Sequence, residues 1–304
     1  MRICSLLPGA TEIAFALGLG DDVVGVTHEC DYPAAARQKP VVVRGLIESN
    51  RMTSLEIDRW VGERLGSNQG LYLIDEERLR EAAPDVILTQ GLCDVCAIDY
   101  NEVVAASETL AKKPKIVSLT PNCLIDVLDD VARVGEATAQ RHRAEKLVQE
   151  LKQRISAVRQ RAAQLATRPR VACLEWFDPI YVAGHWVPEM IDIAGAEDVL
   201  GRRGEPSEKV EWQSIRKSAP EIIVLMPCGF DVPRTLREAA VLKQVEGWHD
   251  LPAVKAGRVF AVNGHAFFSR PGPRLVDGLE ILAHIIHPEI FPMQQSPDAL
   301  QRIT

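Results

Sequence analysis

Several features that mark other classes of protein are missing from this sequence. Its 304 residues contain no apolar run of transmembrane length and no run of basic residues. The net charge of −7 gives no reason to expect a nucleic acid as a partner. We therefore expect neither membrane insertion nor nucleic-acid binding.

The beginning of the chain and its cysteines both bear on location. Residues 2–6 look like a β-strand directly after Met1, where a signal peptide would have a basic start and an apolar stretch. The seven cysteines are an odd number and are scattered along the chain, which favours a reducing compartment over a disulfide framework. The sequence predicts a cytoplasmic location, or a periplasmic one if a leader has been removed.

Common catalytic motifs are also missing. There is no Gly-x-Ser-x-Gly and no His-Glu-x-x-His, and Gly18-Leu-Gly20 lacks the glycine and lysine that complete a phosphate-binding loop. His28 and Glu29 would be the candidate acid–base pair, but nothing identifies a nucleophile for them. The sequence therefore favours a protein that is not an enzyme.

The clearest pattern that is present is a long amphipathic stretch in the middle of the chain. Between residues 138 and 167, apolar residues recur every four and three positions, with no glycine or proline until Pro169. This spacing predicts one long helix, capped by Thr138. The alternative is a coiled-coil seam between two copies of the chain.

Similar sequence units lie on both sides of that helix. Residues 77–87 and 213–223 each read as a short helix, then Ala-Pro and an acidic residue, then an apolar strand. Strands alternate with helices throughout, which is typical of parallel sheets built from βαβ units. We expect an α/β fold with two Rossmann-like lobes of mainly parallel sheet, residues 1–137 and 168–304, joined by one rigid helix at residues 138–167.

Unusual polar and aromatic residues follow the carboxyl ends of the proposed strands in both lobes. In open α/β sheets this edge is where ligands bind, and two such edges facing each other form a cleft. The candidate ligand-binding residues are His28, Glu29, Cys30, Tyr32, Cys93, Cys96, Trp176, Tyr181, His185, Trp186, Phe267 and Arg270.

Three of these candidates are cysteines whose thiolates are able to bind a metal ion. Cys93 and Cys96 have the spacing that lets two sulfurs reach one ion, and Cys30 follows a neighbouring strand. The sequence thus allows a zinc or iron site formed by Cys30, Cys93 and Cys96. The alternatives are a redox pair and half-buried thiols that line a pocket.

The other candidates also have two interpretations. Trp176, Tyr181 and Trp186 would either stack on a large flat ligand or pack beneath a loop. His28 or His185 would either bind the metal of a ligand or make a structural hydrogen bond. Arg270 stands beside Pro271 in the sequence Arg-Pro-Gly-Pro-Arg, which is either a stiff anion clamp or a turn that leads into a helix.

Residues 5–12, 184–188 and 270–274 together resemble the cobalamin and ferric-siderophore substrate-binding proteins of ABC importers, and especially the cobalamin branch. The resemblance implies a non-enzymatic protein that needs no cofactor and holds a corrinoid or a similar large metal chelate between its lobes. The competing hypothesis is a metal-dependent or thiol-redox enzyme that uses His28, Cys30, Cys93 and Cys96 in the same cleft.

The resemblance also implies docking on an importer permease through one surface glutamate on each lobe. The first of these positions holds Glu77, but the second holds Gln213. A neutral hydrogen bond is weaker than a charge-assisted one. Because of Gln213 and the absence of a leader, the sequence predicts no productive docking on a permease.

Overall fold

The computed structural model of the protein describes residues 1–67, 69–91, 97–292 and 297–303. Within these ranges no helix is both long enough and apolar enough to cross a membrane. The strands form two separate sheets, one before and one after a long helix.

The first sheet contains six strands in the order β4-β3-β2-β1-β5-β6. All neighbours in it are parallel except β3 and β4. Its strands are β1 (Ile3–Ser5), β2 (Val23–Thr27), β3 (Val41–Gly45), β4 (Tyr72–Ile74), β5 (Val86–Gln90) and β6 (Lys115–Leu119). The helices of this half are α1 (Pro8–Ala16), α2 (Ser54–Gly66), α3 (Glu76–Ala82), α4 (Tyr100–Glu108) and α5 (Leu124–Ala137), followed by α6 (Arg141–Ala162).

The second sheet has the strand order β10-β8-β7-β11-β12-β13, with β9 also beside β7. Its strands are β7 (Arg170–Phe177), β8 (Ile180–Val182), β9 (Glu197–Asp198), β10 (Glu208–Lys209), β11 (Ile222–Leu225), β12 (Val259–Val262) and β13 (Leu300–Ile303). Its helices are α7 (Val187–Ile193), α8 (Trp212–Ser218), α9 (Val232–Glu238), α10 (Ala240–Lys243), α11 (Pro252–Lys255), α12 (Gly264–Phe267) and α13 (Leu275–Ile286). The central strands β7, β11 and β12 are parallel. The predicted two-lobed α/β fold is confirmed.

The linking helix is shorter than the sequence pattern predicts. It is α6, Arg141–Ala162, and not the whole of residues 138–167. Thr138 does not cap it, because the Thr138 hydroxyl donates to the carbonyl oxygen of Val134 in the last turn of α5. Ala139, with a φ of 57°, then separates the two helices.

The apolar side of α6 is buried within the same chain, which contradicts the coiled-coil alternative. Ala144 packs in the core of the first lobe, whereas Leu151, Ile155 and Val158 pack in the core of the second. Leu124, Val127 and Leu128 of α5 also belong to that second core. One continuous apolar core therefore connects α5 and α6 to the second sheet.

The repeat is visible in the hydrogen bonds of the two halves. The Arg2 side chain donates to the carbonyl oxygen of Ala82, and its backbone N–H donates to Asp85. Arg170 makes the equivalent bonds to Ser218 and Glu221. The residues that end α3 and α8, Ala83 and Ala219, are both left-handed, with φ of 39° and 42°. The two lobes are thus built from the same local unit.

Candidate functional site

A cluster of charged side chains joins the lobes at the carboxyl ends of β2 and β12. The guanidinium group of Arg270 contacts the carboxylate of Asp31 and donates to the carbonyl oxygen of Glu29 at 2.9 Å. The imidazole Nε2 of His265 lies 3.2 Å from Asp31 Oδ2. Burial works to raise the pKa of Asp31, but its bond to His265 and the charge of Arg270 outweigh burial and lower this pKa. Asp31 is therefore ionised in the cleft.

A second ion pair lies beneath this cluster. Arg274 donates to Glu12 through Nε at 3.0 Å and through Nη2 at 2.5 Å, and the Glu12 side chain is only 2% exposed. Burial opposes the charge on Arg274, but the hydrogen bonds to Glu12 raise the pKa of Arg274. Beside this pair, Gly9 leaves no room for a Cβ atom against the carbonyl group of Pro271. The two lobes are in direct backbone contact here.

Aromatic residues from both lobes flank Arg274. Its guanidinium carbon lies 3.9 Å from the ring centre of Tyr32 and 5.8 Å from that of Phe267. Tyr32 is exposed, and Phe267 is half-buried. The structure thus brings Tyr32, Phe267 and Arg270, three of the predicted ligand-binding residues, to one region between the lobes.

His28 and Glu29 border the same region from the first lobe. The Nε2 atom of His28 lies 3.3 Å from Glu29 Oε1, and Nδ1 accepts a hydrogen bond from the backbone of Gly45 at 3.2 Å. Glu29 Oε2 also lies 3.9 Å from His265 Nδ1. A cavity of about 380 Å³ lies within the first lobe next to His28, Cys30 and Asp31, with Val26, Arg37 and Val41 in its lining. His28 and Glu29 therefore form the polar edge of the first lobe where it meets the second.

Trp176 and Tyr181 are neighbours across the β7–β8 hairpin, and a segment of the first lobe lies over them. The indole N–H of Trp176 donates to the carbonyl oxygen of Ser54 at 3.1 Å. Burial, together with the negative charge of Asp58, raises the pKa of Tyr181. Ser54 and Asp58 both belong to α2, so this helix covers the aromatic pair.

Two other predicted ligand-binding residues, Trp186 of the aromatic cluster and His185, lie elsewhere. Trp186 is 6% exposed, packs in the core of the second lobe and donates its indole N–H to the carbonyl oxygen of Phe268 at 2.9 Å. This position contradicts stacking on a ligand, because the ring packs in the core and its N–H already has a hydrogen-bond acceptor within the protein. His185 is half-buried and stacks on Trp186, and burial lowers its pKa.

Of the three cysteines predicted to form a metal site, the structure describes Cys30. Cys93 and Cys96 lie outside the described residues. Cys30 is 3% exposed, and its sulfur lies 3.0 Å from the Thr11 hydroxyl and 3.4 Å from that of Thr27. Burial raises the pKa of Cys30, which disfavours the thiolate that a metal requires. Within the described residues, no group of three or more His, Cys, Asp or Glu is arranged to hold a metal ion.

The proposed docking residues occupy equivalent places in the two lobes. Glu77 is the second residue of α3, and Gln213 is the second residue of α8. Both side chains are exposed. The repeat therefore presents matching helix ends on the two lobes, one with a carboxylate and one with a neutral amide.

The candidates named from the sequence alone do not include five polar residues that make contacts between the lobes: Glu12, Asp31, Arg234, His265 and Arg274. Asp31 and His265 follow the carboxyl ends of β2 and β12, so the position after a strand end, which identifies the other candidates, would also identify these two. The pairing of Glu12 with Arg274 spans 262 positions, and a single sequence carries no signal for it.

Two α/β lobes, fixed to each other by a helix and facing across a charged and aromatic cleft, define a substrate-binding protein of the rigid-linker class. The chain belongs to the periplasmic binding protein family, whose sequence profile matches residues 3–265. Members of this family are binding proteins of ABC importers, so the prediction of a non-enzymatic protein is confirmed. The redox-enzyme alternative finds no support.

The similarity to individual relatives covers most of their length. The chain is 25% identical to an ABC transporter substrate-binding lipoprotein of Bacillus subtilis (strain 168), over 95% of this chain and 81% of the relative. It is 24% identical to a vitamin B12-binding protein of Photorhabdus laumondii, over 93% and 86%. A periplasmic heme-binding protein from Pseudomonas aeruginosa has the same fold, with 19% identity and a TM-score of 0.74 over 100% of this chain and 98% of that one.

The predicted cytoplasmic location is wrong. The relatives are named as a lipoprotein and as a periplasmic protein, and a cytoplasmic location conflicts with the family. The prediction relied on the residues after Met1 and on the cysteine count. Neither feature outweighs membership in a family of periplasmic binding proteins.

Proposed function

We propose that this protein binds a corrinoid, or a metal chelate of similar size, between the carboxyl ends of β2 and β12. The observation that carries the proposal is the similarity to a vitamin B12-binding protein over 93% of the chain. The cleft fits such a ligand chemically. Tyr32 and Phe267 offer aromatic surfaces from opposite lobes, and His28 and His265 offer imidazole nitrogens to a chelated metal.

Heme is the second candidate ligand. It is favoured by the fold shared with a heme-binding protein and by Arg270, whose guanidinium group would exchange its contact with the Asp31 carboxylate for a propionate. The two candidates differ in charge, because heme carries two carboxylates. Substituting Arg270 should therefore weaken heme binding more than corrinoid binding.

Isothermal calorimetry with cyanocobalamin and with hemin tests the proposal. Wild-type protein should bind one cyanocobalamin, and Trp176→Ala or Tyr32→Ala should weaken binding by about 1–3 kcal/mol. Trp212→Ala is the matched control, because Trp212 stacks on Trp248 outside the cleft. Equal affinities of cyanocobalamin for the wild type and the three variants would place the ligand elsewhere. Binding of hemin without binding of cyanocobalamin would make heme, and not a corrinoid, the ligand.

We also propose that the exposed ends of α3 and α8 are the surfaces that dock on an importer permease. The charge difference between Glu77 and Gln213 makes the second contact weaker, by about 1 kcal/mol. Because the family works outside the cytoplasm, Gln213 is the remaining reason to expect weak docking.

Uptake of vitamin B12 by cells that lack their own binding protein tests this docking surface. Exported wild-type protein should support little uptake, Gln213→Glu should increase it, and Glu77→Ala should abolish it. Gln213→Ala is the control for the loss of the amide. If the wild-type protein supports full uptake and Glu77→Ala does not reduce it, the proposed surface is contradicted.

A further inference from the structure

The lobes are held together at buried contacts that do not separate readily. The apolar core shared by α5, α6 and α13 is one of them. The backbone contact between Gly9 and Pro271 and the buried Glu12–Arg274 pair form another. Opening the cleft by moving whole lobes would break both, at the cost of exposing apolar area and an ion pair.

One segment between the lobes is attached differently. Residues 49–66, called here the strap, leave the first sheet after β3 and contact α9 of the second lobe. Arg234 Nη2 donates to the carbonyl oxygens of Ser49 at 2.7 Å and Met52 at 3.1 Å. Glu238 accepts from the Ser54 N–H at 3.1 Å and from the Ser54 hydroxyl at 2.9 Å. These contacts are hydrogen bonds of polar groups, although Ser54 and Arg234 are themselves buried.

The strap has little apolar anchorage of its own. Ser54 is the one buried residue of α2, whose other residues are exposed or half-buried. Its first turn is closed internally by a capping box between Thr53 and Glu56. Because α2 closes its own first turn and places no apolar residue in the core of either lobe, it can move as a unit at a lower cost than a core helix.

The strap covers the aromatic part of the cleft. The carbonyl oxygen of Ser54 accepts the hydrogen bond of the Trp176 indole N–H, and Asp58 lies close to Tyr181. The guanidinium carbon of Arg234 lies 3.7 Å from the ring centre of Phe230, which itself packs against Trp176 at 5.2 Å. Trp176 and Tyr181 thus lie beneath the strap.

We propose that the strap is the gate of the ligand cleft, and that Arg234 and Glu238 are positioning residues that hold it closed. The ligand-binding part of this inference rests on the proposed function. The gate opens by breaking the contacts of Arg234 and Glu238, while α6 and the joint between Gly9 and Pro271 remain in place.

Hydrogen–deuterium exchange tests the gate without any ligand. In Arg234→Ala, amides of the strap should exchange at least about tenfold faster than in the wild type, with α6 and α13 unchanged. Arg237→Ala is the matched control, because Arg237 is an exposed arginine on the same helix. Unchanged exchange of the strap in Arg234→Ala, or faster exchange spread over the whole chain, would overturn the proposal.

Stopped-flow binding of cyanocobalamin and of hemin supplies the functional test. Arg234→Ala and Glu238→Gln should increase both the association and the dissociation rate by about fivefold or more, whereas Arg237→Ala changes neither. Arg234→Lys should restore part of the slow kinetics. A faster dissociation rate alone would make Arg234 a ligand contact and overturn the gate. If no variant binds either probe, the proposed function fails, and the exchange measurement still decides whether the strap opens.

Discussion

The pair formed by Glu12 and Arg274 is the buried charge contact that most directly couples the lobes. Arg274→Ala leaves the Glu12 carboxylate, 2% exposed, without its bidentate partner. We expect a loss of about 3–5 kcal/mol in the free energy of unfolding, measured by urea denaturation. Arg51→Ala, which removes an ion pair exposed on both sides, should cost less than about 1 kcal/mol. Equal losses in the two variants would contradict a structural role for the buried pair.

Asp130 on α5 gives the protein a pH dependence of known sign. Burial raises its pKa from 3.8 to about 6, although Arg133 opposes the shift, and its Oδ2 has no hydrogen-bond partner among the residues that the structure describes. Because the folded state binds this proton more tightly than the unfolded chain, the contribution of Asp130 to stability rises as the pH falls from 7 towards 4. Asp130→Asn should remove this contribution and be the more stable protein at pH 7.

Urea denaturation at several pH values measures the effect of Asp130. The stability advantage of Asp130→Asn over the wild type should shrink as the pH falls through 6. Asp129→Asn changes the same charge at an exposed neighbour and should show no such trend. A difference between Asp130→Asn and the wild type that stays constant with pH would mean that Asp130 has an ordinary pKa.

At the scale of single elements, α6 determines how the lobes are arranged. Leu151 is 4% exposed in the core of the second lobe, so Leu151→Ala should lose about 2–5 kcal/mol of unfolding free energy. Lys152→Ala, on the exposed side of the same turn, should change little. If α6 instead formed a seam between two copies, the loss would depend on protein concentration.

The elements of the fold were predictable where the signal is local. The units around Glu77 and Gln213 contain a helix, a turn and an apolar strand, and each forms as its pattern indicates. The start of the linking helix was less predictable, because the Thr138 hydroxyl is able either to cap α6 or to bond to the last turn of α5, and tertiary contacts decide between the two. The same applies to Trp186, since an aromatic residue after a strand looks identical in sequence whether it faces a cleft or a core.

The candidate site was predictable to the extent that it follows strand ends. Tyr32, Phe267 and Arg270 meet between the lobes because parallel strands bring their carboxyl ends to one edge. The strap was not predictable. Its contacts with Arg234 and Glu238 connect residues about 180 positions apart, and α2 by itself is an ordinary polar helix.

For the whole molecule, the buried joints predict that the lobes barely move on ligand binding. The apolar core shared by α5, α6 and α13 is stiffer than the extended linkers that permit wide hinge motion. Small-angle X-ray scattering curves with and without cyanocobalamin should nearly superimpose, because the strap is only a small part of the mass of the protein. A marked compaction on binding would show that the lobes themselves close.

The central claim is that a metal chelate sits between the two lobes, and a crystal structure grown with cyanocobalamin tests it most directly. The anomalous signal of cobalt locates the metal independently of how the surrounding density is interpreted. Our account predicts one cobalt site between the carboxyl ends of β2 and β12, near His28 and His265, with Tyr32 and Trp176 beside the corrin ring. A cobalt site on the outer surface of either lobe, or no cobalt signal at saturating ligand, would contradict it.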